Sequence, residues 1–119
     1  VLFWMSIVCF AGLHRVRTWI LHDHLKEAWN PFTTPRSDSR LATLGPYGLL
    51  RHPLYALHLF ELGCLWLILP NPVAAIAWLV DLAATLARIP GEESLLEARY
   101  GDQWRAYAKR TRRLIPWIW

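Results

Sequence analysis

Two apolar runs separated only by Pro70-Asn71-Pro72 constrain this chain more than any other feature. They are residues 54–69 (LYALHLFELGCLWLIL) and residues 73–87 (VAAIAWLVDLAATLA). The prolines end one helix and start the next. Each run falls a little short of the ~20 residues that a spanning helix prefers. With their flanks they still read as a transmembrane helical hairpin, because only helices and closed barrels satisfy their backbone groups in lipid. The competing reading is a pair of core helices in a soluble domain. Composition weighs against it: 55% of the 119 residues are apolar and eight are Trp, against ~45–50% apolar in soluble domains. A domain this small has little interior for so many large rings, whereas Trp near the ends of apolar runs suits a membrane–water interface. The expected fold is therefore all-α, an integral membrane helical bundle in a single domain over residues 1–119.

The flanking sequence extends this picture. Residues 1–13 (VLFWMSIVCFAGL) are apolar and are followed by Arg15 and Arg17, which reads as the end of a spanning helix meeting the cytoplasmic face. The apolar run is already under way at Val1, so further transmembrane sequence is expected before it. The run lacks the basic start and small-residue cleavage site of a signal peptide. Residues 18–29 are mixed and read as an interfacial helix; residues 30–48, with Asn-Pro, Thr-Pro and Gly-Pro, read as loop. Residues 92–110 read as a C-terminal amphipathic interfacial helix.

The net charge is +4, from 13 Lys and Arg against 9 Asp and Glu. The excess is concentrated in residues 99–113, where Arg99, Arg105, Lys109, Arg110, Arg112 and Arg113 face Asp102 alone. Aromatic residues interleave this segment and apolar runs precede it. Its expected partner is a cytoplasmic membrane surface and its lipids, not nucleic acid. Cys9 and Cys64 form no motif and say nothing of redox compartment. His22-Asp23-His24 suggests a metal at first sight, but residues two apart do not share a helix face and no third ligand is evident, so no metal site is expected. Oligomeric state is not legible.

The hairpin gathers distant groups. His52 lies 19 residues before Asn71 and Glu92 lies 21 residues after it, so each arm is roughly 28–32 Å long, about one hydrocarbon thickness. Arg51-His52 and the stretch from Arg88 to Glu93 thus return to one face, expected to be cytoplasmic. Glu61 and Asp81, each ten residues from Asn71, fall near mid-depth, where ionisable groups are costly and usually paired or functional. They read chiefly as a structural pair or a protonated carboxyl, and otherwise as substrate-lining groups.

Residues 45–55 read GPYGLLRHPLY and residues 88–116 read RIPGEESLLEARYGDQWRAYAKRTRRLIP. Arg-His-Pro-x-Tyr leads into the hairpin, Glu-Glu-x-x-Leu follows it, and Tyr-Gly-x-x-Trp-x-x-Tyr precedes a basic run ending in Pro. This combination resembles the isoprenylcysteine carboxyl methyltransferase family and the related phospholipid and thiol methyltransferases, over about residues 39–116, the expected cofactor-binding core. The resemblance implies a bound S-adenosylmethionine, with Leu41, Ala42, Tyr47, His52, Pro53, Leu54, Tyr55 and Glu92 at cofactor-contacting positions and Arg88 at a substrate-side, catalytic position. Three positions depart from the pattern: Leu57 replaces a frequent Gly, Ser39 stands where eukaryotic carboxyl methyltransferases have His, and Arg112 replaces a common Pro. The first two weaken the case for a prenylcysteine substrate more than the case for the cofactor.

The chemistry suits this implication. A carboxylate such as Glu92 can pair with the ammonium of the donor, and Tyr47 and Tyr55 can offer π faces to its cationic groups. Methyl transfer needs alignment and exclusion of water more than acid–base catalysis. Arg88 can hold an anionic group by a bidentate fork. For an amine or thiol acceptor, Glu93 can serve as a catalytic base. Each residue also has a plainer role: His-Pro as a helix start, Glu92-Glu93 as partners of the helix dipole, Arg88 as a cytoplasmic anchor, and Tyr100, Trp104 and Tyr107 as packing. The acceptor is expected to be lipophilic or membrane-associated, reached from the bilayer by a multi-pass protein. Two rivals remain: an NADPH-dependent sterol reductase-like enzyme, which shares the C-terminal pattern, and a non-catalytic membrane scaffold.

Overall fold

The computed structural model describes residues 1–24 and 40–119. The interfacial stretch 25–29, most of the expected loop and Ser39 lie outside the described residues. The described chain is helical: α1 (Leu2–Trp19) passes into a π-helical turn (Ile20–His24), a 3-10 turn (Gly45–Gly48) leads to α2 (Pro53–Ile68), and α3 (Pro72–Tyr100) and α4 (Asp102–Arg110) follow. His22 and Asp23, in the π-helical turn, pair with each other at 3.1 Å on the surface.

Local chemistry sets the helix ends. Pro53 and Pro72 occupy the first turns of α2 and α3, where a missing N–H costs nothing. Asn71 caps α3, its Oδ1 accepting from the Ala74 N–H at 2.8 Å. The expectation of a separate helix over 92–110 is corrected here. α3 runs unbroken from the third apolar run through Pro90 to Tyr100. The chain breaks instead at Gly101, whose φ of 53° and ψ of −122° lie where only glycine is comfortable. The nine-residue α4 buries Trp104 and Tyr107 and exposes Arg105, Lys109 and Arg110.

α2 and α3 run antiparallel, as their contacts step in opposite senses. Near the Asn71 end Trp78 Nε1 donates to the Leu59 carbonyl at 2.9 Å; at the far end His52 and Tyr55 meet Glu93 and Glu92. Leu59, Ile89 and Leu114 form the core between them, with Tyr55, Ala56 and Leu82 packed around it. α1 lies along α2. Arg17 Nη1 sits 2.9 Å from Glu61 Oε2 and His14 Nδ1 3.5 Å from Glu61 Oε1.

Those contacts agree with one expectation and correct another. Glu61 and Asp81 are each paired, as expected at that depth, though not with each other: Glu61 has Arg17, and Asp81 has His58 at 3.3 Å. Arg17 also lies level with the middle of α2 and not with its end, drawn there by a carboxylate that is otherwise buried in an apolar helix.

Among the described residues one helix, α3, is long and apolar enough to cross a membrane, and α2 is a shorter apolar helix. Only 11% of the most apolar stretch of α3 is buried, whereas the core helix of a soluble protein would be mostly covered. Val73, Ile76, Leu79 and Val80 are exposed, an apolar surface that suits lipid.

Candidate active site

The site forms where the open end of the α2–α3 pair meets the C-terminal segment. Residues 49–52 run beside residues 111–114 through a parallel bridge between Leu50 and Arg112. The Arg51 N–H donates to the Arg112 carbonyl at 2.6 Å, Arg112 N–H to the Leu49 carbonyl at 3.2 Å, and His52 N–H to the Arg113 carbonyl at 3.1 Å. The Tyr107 hydroxyl donates to the Tyr47 carbonyl at 2.8 Å, tying α4 to the 3-10 turn. Burial pushes the Tyr107 phenol up to about 12, so it stays a donor. These bonds hold His52 at the foot of α2 with Pro53 buried behind it and Leu54 half-buried.

Two adjacent glutamates on α3 then point different ways, since successive helical residues are ~100° apart. Glu92 is half-buried. Its Oε1 accepts from the Tyr55 hydroxyl, and its Oε2 lies 3.9 Å from His52 Nδ1, beyond hydrogen-bonding range. Arg88, one turn earlier and exposed, donates to the Tyr55 oxygen. The His52 and Tyr55 rings stack, 5.6 Å between centroids and 15° apart in plane. Arg88, Tyr55, Glu92 and His52 therefore make one connected group, with the outer oxygen of Glu92 left for a ligand.

Glu93 is buried and fully engaged. Oε1 receives His52 Nε2 and Arg51 Nη1, both at 3.3 Å, and Oε2 receives Arg113 Nε at 3.1 Å and Nη2 at 2.9 Å. It faces a cavity of about 480 Å³ between α3 and α4, lined also by Trp104 and Lys109. Burial lowers the pKa of His52; Glu93 and Glu92 oppose this and Arg51 reinforces it. The neutral ring then carries its proton on Nε2, facing the Glu93 carboxylate, and its Nδ1 lone pair turns toward Glu92. Burial, with Tyr107 and Tyr55 nearby, also raises the Tyr47 phenol, keeping it neutral.

Of the residues expected at the site, Arg88, Glu92, Tyr55, His52 and Glu93 are linked by successive contacts, and Tyr47 is within electrostatic reach of Tyr55. Leu41 and Ala42 are half-buried in the segment before the 3-10 turn, with no side-chain bond to the group. Sequence reasoning missed Arg51 and Arg113 as the partners of Glu93, and Tyr107 as the bond that positions Tyr47. Arg51 had a signal in its place next to His52. Arg113 was hidden within a run of like charge.

The family model described as isoprenylcysteine carboxyl methyltransferase matches residues 4–98. It thus takes in α1 as well as the group just described. Two proteins of Arabidopsis thaliana are similar to the chain. Protein-S-isoprenylcysteine O-methyltransferase B is 36% identical over 80 residues, covering 66% of this chain and 41% of that protein. Protein-S-isoprenylcysteine O-methyltransferase A is 37% identical over 79 residues, covering 66% and 40%. The chain thus spans about two fifths of the length of these curated relatives.

Proposed function

The chain belongs to the isoprenylcysteine carboxyl methyltransferase family, and from that premise we propose that it transfers a methyl group from S-adenosylmethionine to a lipophilic or membrane-associated acceptor. The observation that carries this reading is the half-buried Glu92, with one oxygen fixed by Tyr55 and the other without a hydrogen bond, beside the stacked rings of His52 and Tyr55. These groups fit the donor: a free carboxylate edge matches its ammonium, and aromatic faces match a sulfonium. S-adenosylmethionine supplies an activated methyl group. The protein holds and orients it through Glu92, Tyr55, His52 and Tyr47, with Pro53, Leu54, Leu41 and Ala42 shaping the walls. Arg88, exposed at the edge of the group, is placed to receive an anionic part of the acceptor.

Glu93 takes a different part from the base the sequence allowed. A carboxylate shared among Arg51, His52 and Arg113 supports a strut that fixes the imidazole, not a group free to take a proton. α2 and α3 are read as a transmembrane hairpin with Asn71 at the far face, α4 as lying in the interface, and the site as facing the cytoplasm. Supporting this are the exposed apolar surface of α3 and the exposed Lys109, Arg110 and Arg112 beside the site. Among the described residues, no feature of the site favours a nicotinamide cofactor.

Binding of S-adenosylhomocysteine to the full-length protein in detergent tests the reading. Calorimetry should show saturable binding, weakened by Glu92→Ala by ~1.5–3 kcal/mol, the scale of a hydrogen bond to a charged group. No binding by the intact protein overturns the methyltransferase reading; unchanged affinity in the variant overturns only the role of Glu92.

A further inference from the structure

We propose that His58 accepts a proton from the methyl acceptor, with Asp81 positioning it, and that the acceptor is therefore a lipophilic molecule whose nucleophilic atom carries a dissociable proton, a thiol foremost. The inference rests on methyl transfer being the reaction.

The geometry points to this pair. His58 Nε2 lies 3.3 Å from Asp81 Oδ2, bridging α2 and α3 within their apolar stretches. Ionisable groups at such depth are costly and mark pathways or sites. Both side chains remain reachable, 39% and 34% exposed, unlike the 4% of Glu61. The pair also continues the site. His58 is one turn beyond Tyr55 on α2, ~4.5 Å along the axis. Asp81 lies seven residues before Arg88 and eleven before Glu92, which places all three on one face of α3. An acceptor moving from the bilayer toward Arg88 passes this pair first.

Among the described residues, the other carboxylates nearby are already engaged. Glu61 is held by Arg17 and His14 of α1, Glu93 by two guanidinium groups and His52, and Glu92 is assigned to the donor's ammonium. Asp81 Oδ2 is buried and approaches His58 without a well-directed hydrogen bond. Imidazole Nδ1 has no partner among the described residues. With Nε2 3.3 Å from Asp81, Nδ1 is the nitrogen left to meet an acceptor. A carboxylate acceptor is already ionised and has no use for such a group; a thiol at neutral pH is mostly protonated.

The step balances simply. A sulfur lone pair of the acceptor forms the new S–CH3 bond. The donor's methyl–sulfonium bond breaks, its electron pair staying on the donor sulfur. The S–H bond breaks and its proton passes to Nδ1, leaving an imidazolium against the Asp81 carboxylate that later releases the proton to water.

The test uses full-length protein in nanodiscs, with a lipophilic alkyl thiol, an aryl thiol already ionised at the assay pH, and a farnesylated cysteine analogue. His58→Gln should leave S-adenosylhomocysteine affinity within about threefold. Transfer to the alkyl thiol should fall about 100-fold or more, the scale of general-base catalysis, and transfer to the aryl thiolate by less than about threefold. Asp81→Asn should show the same selectivity with a smaller loss. A diazirine-bearing alkyl thiol should label α2 or α3 beside His58, independently of turnover. Equal losses with both thiols would make the pair structural and overturn the proposal. So would an undiminished alkyl thiol rate in His58→Gln, methylation confined to the cysteine carboxylate, or labelling only elsewhere. Failure of the wild type to bind S-adenosylhomocysteine removes the premise, and is distinct from wild-type binding without dependence on His58.

Discussion

Arg88 shows what a single residue contributes at this site. It donates to Tyr55, yet its own side chain is exposed at the edge of the group, where the proposed acceptor headgroup would arrive. Arg88→Ala should therefore leave S-adenosylhomocysteine affinity within roughly threefold, below ~1 kcal/mol. Methyl transfer should fall about 100-fold, as when positioning is lost. Arg88→Lys should recover little, because an ammonium cannot reproduce the planar fork. Calorimetry and turnover on folded variants check both, and full activity in Arg88→Ala would leave it a topological anchor. The contacts among Arg88, Glu92, His52 and Tyr55 were legible in the sequence because the two arms, equal in length, return these residues to one end. The fate of Glu93 was not. Several arginines lie close enough in sequence to be candidates, and only the backbone pairing of residues 49–52 with 111–114 selects Arg51 and Arg113. Such short pairing has no period to read.

At the scale of elements, apolar patterning located α1, α2 and α3 but misjudged where helices end. A proline such as Pro90 reads as a boundary, yet α3 continues through it, with Ser94 Oγ donating back to the Pro90 carbonyl at 2.9 Å. Gly101 ends the helix instead, through a backbone angle that sequence alone does not display. Two glycines give opposite expectations. A Cβ at Gly101 meets no atom within 4 Å, so the penalty of Gly101→Ala is purely conformational, about 1–3 kcal/mol. Gly91 is helical and equally open, so Gly91→Ala should stabilise by ~0.5–1 kcal/mol. Denaturant unfolding in detergent compares the two. A neutral Gly101→Ala would show that the break is set elsewhere.

For the whole molecule, the arrangement predicts sidedness. Cysteines placed singly at Arg40, Asn71 and Lys109, with Cys9 and Cys64 replaced, should label from the cytoplasmic side at the first and last positions and from the opposite side at Asn71. Labelling of all three from one side would overturn the transmembrane hairpin. One consequence concerns time. His52 donates its backbone N–H to the Arg113 carbonyl, and Glu93 accepts a two-pronged grip from the same residue. A ribosome builds the chain from its amino end, so α2 and α3 are synthesised before those partners exist. During that interval the buried carboxylate of Glu93 lacks a principal counter-charge, and the imidazole beside it is held from one side only. The apolar helical pair is thus the early product of synthesis and the candidate site the late one. A released chain truncated after residue 110 should be membrane-embedded yet chemically silent.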